Sequence, residues 1–550
     1  MTYRTACRLT AGLLAASLTL TGCSLNTDGL RSLIPGLSEE SETETLEVSE
    51  TAADAEDAAE ETEDAEEETA VVSDTIQAQQ AAVMTLSIEA GGDLNPFTSD
   101  SLANLTFLSL LYEGLFQVGP DFTAAPVICR DYTVSDDELT YAFALNPDVT
   151  FSDGTGLTAS DVVYSLDLAR SSAMYSARFE HIESITAASD YQVVITLSTP
   201  MEDLPLLLDI PIVRSGTGSS SSPVGTGPYQ LSLSGDDGVL TPCSSWWQGK
   251  TQPFRRIELQ SFSDGLAQRD QFEQGDLDLV VTDPSAVGAA TYHSDYELWS
   301  QDTTIMQYLG FNFSSAIFSQ QAVRSAMTYL LDRQTIVSEY SSSMALAAEL
   351  PVNPNSSLYD TRQAANYSYD RKAFRKAIKA TDLTDSDGDG VLELYGERME
   401  GTLLVCADST QRVEVAQYIA DLLNEEGFAI TVVSKSAADF ETALANREYD
   451  LYYAEVRLTA DFDLSPFFAD DGALNYGGLA DDEALQLCIA SLENSGNFYN
   501  LYTKIMDEGL ICPVLFKKRA VYTSRGAVSG LDPSPSSVFY DLENISCHGN

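Results

Sequence analysis

The sequence predicts an α/β protein folded from more than one domain, and three observations lead there. Strands and helices alternate in the last third of the chain. Thr402 to Cys406 is a short apolar strand, and Val415, Ala416, Ile419, Leu422 and Leu423 form a helical stripe stopped at Gly427. Ala429 to Val433 is a second strand, Ala437 to Asn446 a second helix and Tyr449 to Ala454 a third strand. Strands separated by helices of this length build a parallel, right-handed βαβαβ unit. Elsewhere apolar residues recur every second position, at Leu139, Tyr141, Phe143 and Leu145 and again at Tyr191, Val193, Ile195 and Leu197, as half-buried strands require. Finally, 550 residues with 44% apolar content exceed what one small core organises.

The remaining elements follow in order. Val83 to Ile88 alternates like a strand and opens the folded body near Ala81. Thr158 with Asp161 three residues on forms a capping box for a helix whose stripe is Val162, Val163, Leu166 and Ala169. Ser319 is placed to cap another helix, with Val323, Ala326, Met327 and Leu330 on its apolar face. In parallel sheets ligands sit beyond the carboxyl ends of the strands. Directly after the third strand of the βαβαβ unit stands Glu455-Val456-Arg457-Leu458-Thr459-Ala460-Asp461-Phe462-Asp463, crowded with charge.

The formal net charge of -55 excludes nucleic acid as a partner, because phosphate recognition needs a basic footprint. At the N-terminus Arg4 and Arg8 precede a short apolar run from Leu9 to Leu20, closed by Leu20-Thr21-Gly22-Cys23. The run is too short for a permanent membrane span. The pattern resembles a bacterial lipobox, which implies a signal peptide over 1–22, lipidation of Cys23 and an anchor on the outer face of the cell membrane. From Ser38 to Asp74 seventeen residues are acidic and none is Lys or Arg, a composition that cannot offset its chain entropy by burial. Residues 23–80 are therefore expected to be a disordered spacer. Six cysteines remain beyond these segments (Cys129, Cys243, Cys406, Cys488, Cys512 and Cys547), scattered and without a CxxC pair, so neither zinc nor a disulfide framework is indicated.

Several motifs in sequence order resemble the family-5 extracellular solute-binding proteins, the oligopeptide-, dipeptide- and nickel-binding class of ABC importers. They are Asn95-Pro96-Phe97, Leu111-Tyr112-Glu113-Gly114-Leu115, Val149-Thr150-Phe151-Ser152-Asp153-Gly154-Thr155 with Leu157 to Ser165, Gly225-Thr226-Gly227-Pro228-Tyr229, Phe311-Asn312-Phe313, and Val323 to Ala326 with Leu331-Asp332-Arg333. The resemblance runs from about Leu86 to Tyr540. It implies a two-lobed periplasmic-binding-protein-like fold (type II, cluster C) with an extra inserted domain. By analogy the first lobe combines 81–116, 222–309 and 512–550, the inserted domain is 117–221, and the second lobe is 310–511. It further implies a monomer that captures a small solute, peptide-like as the first expectation, and passes it to an ABC permease and its ATPase. A receptor of the same fold and a lipoprotein hydrolase are the alternatives.

Ala460-Asp461-Phe462 resembles the Ala-Asp-Tyr segment with which peptide-binding members hold a free α-amino group, making Asp461 and Phe462 candidate ligand contacts. Leu458 stands where those members carry Trp. Arg457, preceding it, offers a guanidinium fork suited to a carboxylate or phosphate. Trp246 and Trp247 are candidate apolar walls. Tyr452 and Tyr453 alternate along a strand, so at most one faces a cleft. Asp385, Asp387, Asp389, the Val391 carbonyl and Glu393 have the spacing of an EF-hand-like loop, with Gly390 sixth. The twelfth position is Gly396, so the usual bidentate Glu is displaced to Glu397, and any Ca²⁺ there is expected to be structural. No other cofactor is expected. With only three histidines (His181, His293 and His548), no phosphate-cradling loop and no nucleophile–base pair, the residues do not support catalysis.

Overall fold

The computed structural model describes residues 82–547 apart from 287, 288 and 480. The signal segment, Cys23 and the acidic spacer lie outside the described residues. The first strand, β1 (Val83–Glu89), lies parallel to a later one, and between them comes a separate four-stranded antiparallel sheet. That sheet runs in the order 129–134, 140–145, 192–197, 182–189, and α1 (Ala159–Arg170) packs on it. The capping box at α1 is present: Asp161 accepts from Thr158 N–H (2.9 Å) and from its hydroxyl (2.8 Å). Asp161 also accepts from Ser215 N–H at 2.9 Å, so the signature stretch at 149–165 ties the inserted sheet to the chain that leaves it.

β2 (Tyr229–Ser234), β3 (Asp237–Pro242) and β4 (Arg256–Phe262) complete the first lobe's sheet in the order β1-β4-β3-β2. The glycines of Gly225-Thr226-Gly227 are needed because two segments meet backbone to backbone. A Cβ on Gly225 would sit 2.1 Å from the Leu111 carbonyl oxygen, and one on Gly227 2.5 Å from that of Leu110. Gly227 and Tyr229 donate to Leu111 and Leu110 at 3.0 and 3.2 Å, which joins two sequence motifs into one substructure.

Two long antiparallel strands connect the lobes. β5 (Tyr296–Phe311) leaves the first lobe, and the last long strand returns to it. The second lobe begins with α2 (Gln321–Leu330), whose N-cap is Gln320 and not Ser319. The reason is competition: the Ser319 carbonyl is taken by Arg324 Nη1 (3.0 Å), which also binds the Phe318 carbonyl (2.8 Å). β6 (Glu400–Cys406), α3 (Thr410–Glu425), β7 (Ala429–Lys435), α4 (Ala437–Asn446) and β8 (Leu451–Arg457) form the expected βαβαβ unit. β6 lies between β7 and β8 and is parallel to both. β8 then pairs antiparallel with β5, so the unit is built onto the connecting strands.

β9 (Cys512–Ser524) pairs with β5 along most of its length. The pairing shifts register between Asp302 and Met306, opposite Lys518 and Phe516. A bulge in paired strands bends them and increases local twist, so this is where the crossing strands turn from one lobe to the other. Tyr452 and Tyr453 are both buried and belong to different apolar cores on the two faces of the second lobe's sheet. Neither lines the cavity described below. Among the described residues no helix is long and apolar enough to cross a membrane.

Candidate ligand cleft

A cavity of about 1550 Å³ opens between the lobes, walled by the first lobe, the inserted sheet's loops and the carboxyl edge of the second lobe's parallel strands. Gln301, Thr303, Thr304 and Arg519 from the crossing strands form its floor. Drug-sized sites span roughly 300–1,000 Å³, so this one has room for a larger solute.

The first-lobe wall is built on Glu113. Its carboxylate accepts Trp246 Nε1 (3.1 Å), Trp247 Nε1 (2.7 Å) and Gln248 Nε2 (2.7 Å), all reached through the motif contact of Gly225–Tyr229 with Leu110–Leu111. Burial raises the Glu113 pKa above its usual value, and these donors oppose the rise. Trp246 and Trp247 thus line the cavity with their rings fixed by hydrogen bonds, and Trp247 also packs against the first-lobe core.

Arg178, from the inserted segment, and Arg457, from the second lobe, also line the cavity. Arg178 is ion-paired with Asp209, and its guanidinium lies 5.1 Å from the Tyr175 ring centroid. Burial works against the Arg178 cation, but Asp209, Tyr175 and Asp461 raise its pKa overall. Arg457 ends β8 and is exposed to the cavity while enclosed by its walls. That enclosure lowers its pKa; Glu455 opposes the effect and the like charge of Arg178 adds to it.

The segment after β8 divides its residues. Thr459, Ala460 and Asp463 line the cavity, whereas Asp461 and Phe462 do not. Phe462 has a left-handed backbone (φ 55°), and its ring packs between Phe122 (5.3 Å) and Phe516 (5.9 Å). The structure therefore corrects its expected role: it is a core residue that joins the inserted segment to the second lobe. Asp461 is buried behind the wall, 3% exposed. Desolvation, with the charge of Asp463, raises its pKa from 3.8 to about 6. The rise corresponds to about 3 kcal/mol against the ionised form.

His181 of the inserted sheet meets Asp463 of the second lobe at 3.3 Å and so bridges the two sides. The hydrogen bond to Asp463 raises the His181 pKa, burial opposes this, and Asp461 and Glu180 add to the rise. Both shifts act in one direction. A His pKa raised on contact stabilises the bridged arrangement below the ordinary value near 6.5, and this is lost as pH climbs through the raised pKa. The Asp461 penalty is fully present above about 6 and fades as pH falls toward 3.8. Lowering pH from about 8 to 5.5 should therefore compact the ligand-free protein in small-angle X-ray scattering, and His181→Gln should abolish most of the response. Equal dimensions at both pH values would contradict the bridge.

Asp385, Asp387, Asp389 and Glu393 each offer a carboxylate oxygen within 4.8 Å of the others. Arg398 pairs with Asp389, Val391 N–H donates to Asp389 Oδ1 (2.9 Å) and Glu393 accepts from Ser386 N–H (2.9 Å). The loop therefore already has internal partners for all four acids, counting Gly388 N–H on Asp385 (2.7 Å) and Asp389 N–H on Asp387 (3.0 Å). All six described cysteines are free thiols, and Cys406, buried at the end of β6, reaches the cavity wall.

The family model for the middle region of bacterial extracellular solute-binding proteins, family 5, matches residues 123–472. The chain belongs to that family. It is 25% identical over 307 residues to the glutathione-binding protein GsiB of Salmonella paratyphi A, covering 53% of this chain and 60% of that one. The oligopeptide-binding protein AppA of Bacillus subtilis is 22% identical over 374 residues, 62% of this chain and 69% of that one. The match thus spans about three fifths of the glutathione-binding relative's length. Among solved structures, AppA of Bacillus subtilis in complex with a nonapeptide superposes with TM-score 0.61 at 19% identity, over 86% of this chain and 100% of that one. The murein tripeptide binding protein MppA, in an unliganded open form, gives TM-score 0.69 at 14% identity over 85% and 97%. These structures share the two-lobed fold.

Proposed function

We propose that this chain is the extracytoplasmic substrate-binding component of an ABC importer, enclosing a peptide-like solute between its lobes and delivering it to the permease. The observation that carries this is the 1550 Å³ cavity, walled from both sides and floored by crossing strands that bend at the Asp302–Met306 register shift. Cavity walls on opposite sides of a bend are the geometry of hinge closure around a ligand. The glutathione-binding and oligopeptide-binding relatives favour a peptide-like cargo. Binding and release are the whole task in this reading, and no reaction is assigned. Anchorage through lipid on Cys23 belongs to the same proposal, since the two acyl chains of a diacylglyceryl group at the head of an acidic spacer would hold the folded body near its permease. Native mass spectrometry of protein extracted from membranes tests both parts. The spectrum should show a small molecule lost on denaturation and a lipid mass that stays on the N-terminal peptide. A wild-type protein that neither carries nor takes up any peptide-like solute would contradict the transport reading.

A further inference from the structure

The second lobe carries a buried cation that nothing described so far uses. Arg412 lies in the first turn of α3, is 6% exposed and lines the cavity. Its Nε–H has no hydrogen-bond partner, and among the described residues no carboxylate forms an ion pair with it. A guanidinium does not lose its proton, so it cannot escape burial by becoming neutral. Leaving such a charge desolvated and unpaired is costly unless a partner arrives.

The surroundings select the partner's sign. β6 and β7 are parallel, so the helices that follow them, α3 and α4, both start at the carboxyl edge of the sheet. Cys406 at the end of β6, Arg412 at the head of α3, and Ala437 and Ala438 at the head of α4 line the same cavity. The Ser436 cap engages Asp439 N–H, and helical bonding in α4 begins at Phe440, so Ala437 and Ala438 stand ahead of both. Helix N-termini of this length attract anions through their N–H groups and dipoles. On the reading of the cavity as the ligand site, we infer that Arg412 and the heads of α3 and α4 form a subsite for an oxyanion group of the ligand, a carboxylate or a phosphate. Arg412 supplies the planar fork that such a group accepts bidentately. Arg457, at the end of β8, lines the same cavity from another element of that lobe.

Nitrogen-15 NMR of the arginine Nε–H groups tests this in the full-length protein, with sodium acetate and inorganic phosphate as probes at constant ionic strength. The Arg412 resonance is the one absent from Arg412→Lys. It should shift saturably with acetate or with phosphate, and the probe that acts at the lower concentration identifies the oxyanion. The same probe should raise the wild-type melting temperature and lose at least tenfold in apparent affinity for Arg412→Leu. No shift with either probe, or an equal shift with sodium chloride, would overturn the subsite. That failure would leave the transport reading standing, because co-purified solute and lobe closure are read independently of Arg412.

Discussion

Replacing Lys517 with Met should destabilise the folded body by on the order of 3–5 kcal/mol, the cost of breaking a buried charge network by removing one partner. The Lys517 ammonium lies 3.2 Å from Asp283 and 3.0 Å from Glu455, with all three side chains almost fully buried. Lys517 is on β9 beside the register shift, Asp283 follows a first-lobe strand, and Glu455 lies on β8 of the second lobe. One cation therefore fixes both lobes to the crossing strands. Without it two carboxylates face each other in a desolvated site. Urea unfolding should show the loss, and the triple variant Asp283→Asn, Glu455→Gln, Lys517→Met should recover most of it. A loss below about 1 kcal/mol for the single variant would mean that the network does not hold the hinge.

The second large effect concerns affinity. Arg457→Ala should weaken binding of the co-purified solute about tenfold to a hundredfold, the equivalent of one charge-assisted hydrogen bond of roughly 1.5–3 kcal/mol. Arg457→Lys should recover part of that, because the charge remains and the fork does not. Asp461→Ala is the complementary probe. Its carboxylate lies behind the wall with a pKa of about 6, so it should matter only for an ammonium-bearing solute and mainly above that pH. Titration calorimetry at pH 5.5 and 7.5 separates the two cases. If neither substitution alters affinity while the wild type plainly binds, the 455–463 segment is not part of the ligand wall.

Local periodicity made much of this fold legible. The βαβαβ unit from Glu400 to Arg457, the strands at 140–145 and 192–197 and the Thr158–Asp161 capping box all depend on neighbours within a turn or a pleat. The Ser319 cap failed for the opposite reason: whether Ser319 or Gln320 starts α2 is decided by Arg324, whose guanidinium also reaches the carbonyls of Glu508 and Gly509. The cleft was legible only in part. Arg457 and the Trp246–Trp247 pair were visible because they follow a strand end or a motif. Glu113 lies within the Leu111–Leu115 motif, but its role depends on Trp246 and Trp247 more than 130 residues away. Phe462 was misplaced because an aromatic beside a charged residue reads the same in a core as in a wall, and the left-handed turn that buries it has no glycine to announce it. Arg178 reaches the cleft, and His181 reaches Asp463 on its wall, through a loop of the inserted sheet, a placement that no local pattern encodes. Arg412 did leave a signal, a cation in the first helical turn after a parallel strand, on the edge where ligands bind.

The central claim is that a solute held by both lobes closes them. A ligand can shift that equilibrium only through its differential affinity for the closed state. Small-angle X-ray scattering at fixed pH 7.5, on protein stripped of solute by unfolding and refolding and then saturated with it, measures this directly. The radius of gyration should be smaller with solute than without, and the response much reduced in Arg457→Ala at the same solute concentration. An unchanged radius at demonstrated saturation would contradict it.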